Sequence, residues 1–454
     1  MTEEKYEFKS GLKRTLIILF AVGVVLFGIG VASVNSGGGH HEETHTEAAA
    51  AHDAAHGEEA HHEGESHAEE GHGTEAHAAE DHGGGHHAFH WTQRLYANLW
   101  INNLFFTGLA IIGVFFFALQ WAASAGWSAG ITRIPMAFGS WLPISFVLMI
   151  AVFAAAMPSH ALFHWLDPSL YDVNGPNYDS IIAGKKGYLN LPFYAARGII
   201  FFAVWYLLFR MLRNNALAED LNPSDTYWRK NRTLATIFII FFALSSSSAA
   251  WDWVLSIDTH WFSTMFGWYV FASWFVSGLA AITLVVVFLK EAGYLKVVNQ
   301  NHIHDLGKFV FAFSIFWTYI WFSQFLLIYY ANIPEETFYF VERWQSDHYA
   351  PYFFLNIFIN FLFPFLMLMT RDAKRHGIFL KIVCFAVLFG HWIDFYLMVT
   401  PGTLKENGGF GFLEIGLIMI YATAFLFVVL SSLAKHPLVA KNHPMLEESL
   451  HHHI

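Results

Sequence analysis

The 454-residue chain has only one cysteine, Cys384. A single thiol can neither close a disulfide within the chain nor supply the several thiolates that hold an iron–sulfur cluster. The polar segments also contain no Walker loop and no dinucleotide-binding fingerprint, the common phosphate-binding signatures. If the protein works with redox centres, we therefore expect those centres to belong to partner proteins.

Charged residues are scarce too. They make up 13% of the chain, whereas hydrophobic residues make up 55% and include 47 Phe. Apolar stretches of about 20 residues predict transmembrane helices, and their continuity does not match the alternating pattern of a membrane β-barrel. We predict an all-α polytopic membrane protein with about ten transmembrane helices. The ten stretches are 15–34, 97–122, 134–157, 190–213, 233–256, 263–290, 307–331, 350–370, 377–399 and 409–434.

Lysine and arginine are unevenly distributed between the two sides of these helices. With the N-terminus in the cytoplasm, 19 of the 25 basic residues lie in inner segments and six lie at the outer side. The positive-inside rule therefore places both termini in the cytoplasm. The first stretch could be a cleaved signal peptide, since Lys13 and Arg14 precede it. Its apolar core of about 20 residues is long for a signal, so we favour an uncleaved anchor, 1–35.

The exported segment 36–90 differs in composition from the rest of the chain. It contains 14 His and 13 Asp or Glu but no Lys or Arg, so it accounts for the negative net charge. Its low apolar content predicts disorder. Histidine-rich segments can capture divalent metals or respond to pH. Because no fixed ligand spacing is present, we favour a variable linker over a metal-binding or pH-sensing function.

Four titratable residues lie inside the predicted helices: Asp252, His391, Asp394 and Glu414. A charge at the centre of a bilayer costs about 2.5–3.5 kcal/mol on insertion scales, so such residues are rare and commonly functional. With the orientation above, all four fall in the outer halves of their helices. Buried acids and a histidine gathered on one side of a membrane indicate proton transfer near the outer face.

Asp252 is one candidate for this role. Ser245 and Ser248 precede it at spacings that place all three residues on one helical face. A ladder of hydroxyls that leads to a carboxylate could conduct protons through waters. In the alternative, the serines are small packing residues and Asp252 bonds a neighbouring helix. Arg197 could pair with Asp252 or Asp394, and that would argue against titration of the paired acid.

His391 and Asp394 are three residues apart and also share a helical face. Such a pair can take up and pass on a proton, or it can be a structural polar contact between helices. Glu414 follows the glycine-rich segment 408–411. It is therefore either part of the same route or an interfacial side chain that reaches water.

His160 and His164 are the candidate metal ligands outside the exported segment. They are four residues apart and follow Pro158 at the outer surface. Imidazoles with that spacing could share a helical face and ligate a metal ion. We favour hydrated imidazoles at a helix end and predict no metal site.

Aromatic and proline positions indicate an internal repeat. Trp-Asp-Trp at 251–253 corresponds to Trp-Ile-Asp at 392–394, and a proline closes both the third and the seventh helix. The repeated elements are four helices apart, an even number, so the two halves have the same orientation. We predict two parallel four-helix bundles, 91–260 and 261–400, and two peripheral helices, one in 1–35 and one in 401–454.

Two longer motifs resemble a known superfamily. The first is Trp-Asp-Trp-Val-Leu-Ser-Ile-Asp-Thr-His-Trp-Phe-Ser-Thr-Met-Phe-Gly-Trp-Tyr at 251–269, and the second is Tyr-Ala-Asn-Ile-Pro-Glu-Glu-Thr-Phe-Tyr-Phe at 330–340. Both resemble signatures of the NrfD-like (polysulfide-reductase) membrane subunits. Gly-His-Trp-Ile-Asp-Phe-Tyr at 390–396, ten helices and the histidine-rich segment make the chain similar to the ActF-type subunits of bacterial alternative complex III. The resemblance covers about residues 91–435.

This resemblance implies a subunit of a quinol:cytochrome c or quinol:oxidase complex in the bacterial inner membrane, one that supports quinol oxidation and proton conduction. The implied partners are haem c subunits, an iron–sulfur subunit, a sister subunit of the same superfamily and membrane lipid, but no nucleic acid. No covalently bound cofactor is implied, and a menaquinol or quinone at a subunit interface is left open. Two alternatives are a secondary transporter or ion carrier, which more often shows inverted repeats, and a structural scaffold without a proton role.

Overall fold

The computed structural model describes residues 4–37 and 90–453, so most of the predicted exported linker, 38–89, lies outside the described residues. Within the described ranges, ten helical segments are long and apolar enough to cross a membrane, and no strand is present beyond one isolated β-bridge. The prediction of an all-α polytopic membrane protein is confirmed. Spans 1 to 10 are Ser10–Asn35, Trp91–Ala122, Arg133–Ser159, Leu191–Leu221, Asp225–Ile257, Phe266–Glu291, Gln300–Ala331, Ala350–Met367, Gly377–Asn407 and Phe412–Leu433.

Several spans begin earlier than their apolar stretches. Span 5 begins at Asp225 where the apolar pattern predicted 233, and span 7 begins at Gln300 where it predicted 307. The extra turns are polar and are stabilised by capping: the Ser224 hydroxyl accepts a hydrogen bond from the backbone of Thr226, and Asn299 caps span 7. Hydropathy therefore located the apolar part of each helix, whereas the caps determine where the helix starts.

Spans 2 and 6 form the centre of the protein. In their most apolar windows 89% and 94% of residues are buried, against 11% for span 1. The two helices approach closely through reciprocal contacts. A Cβ on Gly108 would lie 1.9 Å from the indole of Trp274, and a Cβ on Gly278 would lie 2.3 Å from the side chain of Ile112. Small residues allow such close helix crossings in membranes.

The other spans surround this central pair. Span 5 packs against spans 2, 4 and 6, while span 9 packs against spans 2, 6 and 8. Span 1 lies along span 10 at the periphery, where a Cβ on Gly30 would meet the backbone of Leu413 at 2.2 Å. Spans 2 and 6 are the first helices of the two bundles that the repeat predicts. The division into two bundles and the uncleaved anchor remain predictions.

Span 8 contains an irregular turn. Residues Phe358–Leu362 form a π-helix between two α-helical pieces, and Pro364 follows directly. Because proline lacks a backbone N–H, the helix rearranges locally around it. The π-turn includes Asn360, which is fully buried. Such turns occur frequently at functional sites.

The two described ends of the chain lie on one face, where Lys5 and Pro437 form a β-bridge. We call this the inner face, which the positive-inside rule predicts to be cytoplasmic, and the opposite one the outer face. The C-terminal segment packs here: the Ser449 hydroxyl donates to the carbonyl of Trp127, and the His452 Nε2 lies 2.6 Å from the Asp305 carboxylate. His452 is thus part of the fold.

His443 in this segment makes the stability of the inner face depend on pH. Its ring lies 4.8 Å from that of Trp121, and burial lowers the pKa of the imidazole to about 4. The unfolded chain, with an ordinary pKa near 6.5, binds this proton more readily. We therefore expect up to about 3 kcal/mol of stability to be lost as the pH falls from about 6.5 to about 4.

Thermal unfolding in detergent between pH 7.5 and pH 4.5 measures this effect. His443→Phe should reduce the pH dependence because the phenyl ring keeps the packing without a titrating group. Part of the dependence should remain, since burial also lowers the pKa of His302 to about 4. His453→Phe, at an exposed position, should keep the wild-type profile. Equal pH profiles for wild type and His443→Phe would contradict the assignment.

Candidate functional site

Asp252 forms a buried ion pair with Arg197. The Arg197 Nε lies 2.6 Å and its Nη2 2.8 Å from the two oxygens of the Asp252 carboxylate, which is fully buried. The guanidinium also lies over the rings of Tyr188 and Phe193, 3.9 and 4.2 Å from their centres. Span 4 supplies the arginine and span 5 the acid. A bidentate pair of this kind favours the ionised form of the carboxylate and fixes its geometry.

The serines of span 5 do not connect to this pair. The Ser245 hydroxyl accepts from the indole N–H of Trp205 and donates to a carbonyl one turn back in its own helix. Ser248 is partly exposed and donates to the carbonyl of Leu244. Helical serines commonly bond backwards in this way. The ladder predicted from Ser245 through Ser248 to Asp252 is therefore not formed by hydrogen bonds between these three residues.

Glu414 is likewise paired and does not reach water at the interface. Its fully buried carboxylate accepts two hydrogen bonds of 2.8 Å from the guanidinium of Arg94 and one of 2.9 Å from Asn98. It also accepts the backbone N–H of Gly411 at 2.8 Å. An acid in the first turn of a helix is favoured there by the helix dipole. Glu414 thus joins span 10 to span 2.

Asp394 has a different environment, because all its hydrogen-bond donors are neutral. Its carboxylate accepts hydrogen bonds from the hydroxyl of Tyr269, from the amide of Asn356 at 2.9 Å and from the indole of Trp317 at 2.9 Å. The nearest group that can carry a positive charge is His391, whose Nδ1 lies 3.8 Å from an Asp394 oxygen. Spans 6, 7, 8 and 9 each contribute one member of this cluster.

The same four spans contribute a second polar residue one turn nearer the inner face. Spans 6 and 8 run inward and spans 7 and 9 run outward, so each pair, spaced by three or four residues, shares one helical face. The outer layer is Tyr269, Trp317, Asn356 and Asp394; the inner layer is Ser273, Ser314, Asn360 and His391.

The inner layer has unused hydrogen-bonding capacity. The His391 Nδ1 lies 3.0 Å from the hydroxyl of Ser273, while its Nε2 has no partner within the described chain. The hydroxyl of Ser314 and the Oδ1 of Asn360 also lack hydrogen-bond partners there. Buried polar atoms usually bond something, and ordered water is the common partner. The inner layer therefore has three buried polar groups, on Ser314, Asn360 and His391, that are not satisfied by the described residues.

A small cavity adjoins the outer layer on its outward side. Tyr269, Asn356 and Gln324 are among the residues that line it, and its volume of about 10 Å³ is sufficient for about one water molecule. The Nε2 of Gln324 has no hydrogen-bond partner in the described ranges. A quinone ring does not fit this cavity, since small-molecule sites are typically about 300–1,000 Å³.

Arg343 covers the cavity at the outer face. It lies in the helix Pro334–Trp344, donates from Nη2 to the Asp258 carboxylate at 2.9 Å and from Nε to the carbonyl of Leu397 at 2.9 Å. Its guanidinium lies 3.4 Å from the ring centre of Tyr339. Burial raises the pKa of the Asp258 carboxyl, and Arg343 opposes that shift. The ion pair between Arg343 and Asp258 therefore connects the segment after span 5 to the helix Pro334–Trp344.

The two candidate metal ligands do not share a helical face. Span 3 ends at Ser159, and His160 adopts a left-handed backbone conformation with φ of 50°, so the chain has left the helix before His164. Burial lowers the pKa of His164. Across 4–37 and 90–453, no three His, Cys, Asp or Glu side chains form a group that could hold a metal ion.

Sequence reasoning found part of this site. His391 and Asp394 were candidates, but Tyr269, Ser273 and Trp317 were not. The sequence signal for these residues is a pair of polar side chains three or four positions apart, repeated in four consecutive helices. Comparison with protein families and with curated proteins finds no match for the chain.

Proposed function

We propose that this chain is a membrane subunit of a quinol-oxidising electron-transfer complex, and that Asp394 and His391 pass protons within it near the outer face. One observation carries the proton-transfer part: of the three candidate acids Asp252, Asp394 and Glu414, Asp394 is the one whose hydrogen-bond donors are all neutral. Asp252 and Glu414 are each neutralised by an arginine.

The charge balance explains why this distinction matters. A carboxylate beside a permanently charged guanidinium gains nothing from protonation, because the proton would leave the arginine unpaired in an apolar region. Asp394 has no guanidinium beside it, since its carboxylate accepts hydrogen bonds from a hydroxyl, an amide and an indole. A proton bound there would leave no arginine unpaired.

The geometry allows the two residues to share one proton. His391 Nδ1 is 3.8 Å from Asp394 and 3.0 Å from the hydroxyl of Ser273, so a small ring rotation exchanges one contact for the other. A proton released on the outward side can reach the one-water cavity at Tyr269 and Asn356. Inward of His391, span 9 presents Val387 and Leu380, which are fully buried and apolar. This arrangement supports proton transfer toward the outer face over transfer toward the inner face.

Membership in an electron-transfer complex rests on the motif resemblance. We expect the affinity-tagged chain, purified from its native membrane in mild detergent, to bring with it proteins that contain haem c and iron–sulfur clusters, together with a second subunit of similar topology. Absorption spectra and peptide mass spectrometry measure this. A chain that purifies alone and moves a solute or ion across liposomes would contradict the proposal in favour of a transporter.

A further inference from the structure

A second cavity lies between spans 3, 4 and 10 near the inner face. Its volume is about 320 Å³, within the range of small-molecule sites. The cavity is separate from the polar layers and plays no part in the proposed proton transfer. Its lining residues include Pro143, Tyr206, Phe209, Arg213, Phe427 and Lys435.

The charged residues of this cavity lack acidic partners. Within the described residues, neither Arg213 nor Lys435 takes part in an ion pair with a carboxylate. The Arg213 Nη2 instead lies 3.2 Å from Nε2 of His436. Burial lowers the pKa of His436, which keeps the imidazole neutral and able to accept this hydrogen bond. A partly buried cation without a counter-ion is costly, so this position favours an anion.

The remaining walls combine hydroxyl groups with apolar surface. Ser140 donates a hydrogen bond of 2.8 Å to the hydroxyl of Ser432 at the junction of spans 3 and 10. Phe209 is buried, whereas Phe427 is 39% exposed on the outside of the helical bundle. The cavity is therefore basic and hydroxylated, and it has an aromatic edge on the lipid-facing surface. An amphiphile with an anionic head matches this combination.

We propose that this cavity binds an anionic phospholipid of the inner leaflet, with its phosphate at Arg213 and Lys435 and an acyl chain against Phe209 and Phe427. Basic pockets between transmembrane helices on the cytoplasmic side have this chemistry. A neutral quinone would leave both cations uncompensated. Free phosphate would leave the apolar edge without a contact. The shared phosphate chemistry fits two sources, and the membrane-facing wall favours the lipid.

Native mass spectrometry of the detergent-purified chain tests this proposal. The wild type should bind added phosphatidylglycerol in preference to phosphatidylcholine. The double variant Arg213→Gln/Lys435→Gln should bind phosphatidylglycerol about thirtyfold more weakly, since each basic residue at a membrane surface contributes about a fivefold factor. Arg213→Lys, which keeps the charge, should retain most of the binding.

The matched control is Arg229→Gln/Lys230→Gln, which removes two exposed basic residues at the inner end of span 5. It should bind phosphatidylglycerol as the wild type does. Equal binding by the wild type and the Arg213/Lys435 double variant would overturn the proposal. Competition by inorganic phosphate at equal concentration would overturn the assignment to a lipid, and tighter binding of a quinone than of phosphatidylglycerol would do the same. Unchanged melting temperatures exclude misfolding as the cause of lost binding.

Discussion

Asp394→Asn is expected to lower proton-coupled turnover of the assembled complex by about 100-fold or more, the typical contribution of one positioned acid or base. Asparagine matches the shape of aspartate, and its single amide oxygen can still accept the hydrogen bonds from Tyr269 and Asn356. Its NH₂ group cannot accept from the indole of Trp317, and the side chain cannot bind and release a proton. The measurement is the rate of quinol oxidation with simultaneous detection of proton release in liposomes. Infrared difference spectra across a pH titration should lose one carboxyl band.

Two further variants separate this effect from a packing defect. Asp394→Glu restores the carboxyl group and should recover part of the turnover with a shifted pH profile. Asp252→Asn removes an equally buried acid and should affect the stability of the complex more than its turnover per folded molecule. Full turnover and unchanged proton stoichiometry in Asp394→Asn would leave the polar layers as a structural contact, and the scaffold interpretation would then be preferred.

Arg197→Leu is expected to destabilise the folded chain by about 3–5 kcal/mol. The substitution leaves the Asp252 carboxylate buried without its two hydrogen bonds of 2.6 and 2.8 Å. Thermal unfolding and the yield of correctly assembled protein in detergent measure the loss. Arg210→Leu is the matched control because it makes the same change on the same helix, at an exposed position. That variant should fold as the wild type does.

The double variant Arg197→Leu/Asp252→Leu provides the decisive comparison. Removing both charges eliminates the unpaired group, and replacing a buried ion pair by apolar residues is often neutral or stabilising. We expect the double variant to regain most of the stability that Arg197→Leu loses. If the loss of stability in the double variant equalled the sum of the losses in Arg197→Leu and Asp252→Leu, the two residues would not form the coupled pair described here.

The membrane topology was predictable because it depends on local composition. Continuous apolar stretches located all ten spans. Their first polar turns, such as Asp225 in span 5, were missed because a capped helix continues beyond the hydrocarbon. For the exported segment, composition alone predicted a disordered linker. Residues 38–89 of this segment lie outside the described ranges.

The site was predictable only in part because its chemistry depends on partners far apart in the chain. Arg197 lies 55 positions from Asp252, and Asn356 lies 38 positions from Asp394. The sequence allowed Arg197 to pair with either acid, and the fold selects Asp252. That pairing distinguishes the two candidates, since Asp252 is neutralised by an arginine and Asp394 is not. Only the three-dimensional arrangement of spans 4 to 9 contains this information.

The interlocked glycines of spans 2 and 6 limit which parts of the protein can move. The side chain of Trp274 occupies the space beside Gly108, and the side chain of Ile112 occupies the space beside Gly278. Separating the two helices would therefore break both contacts together. A movement of helices that admits solvent to the polar layers would therefore have to leave the contact between spans 2 and 6 intact. Spans 7 and 8 have only 33% and 22% of their apolar windows buried, and span 8 carries the π-turn. Spans 7 and 8 therefore bury a smaller share of their apolar windows within this chain than spans 2 and 6 do.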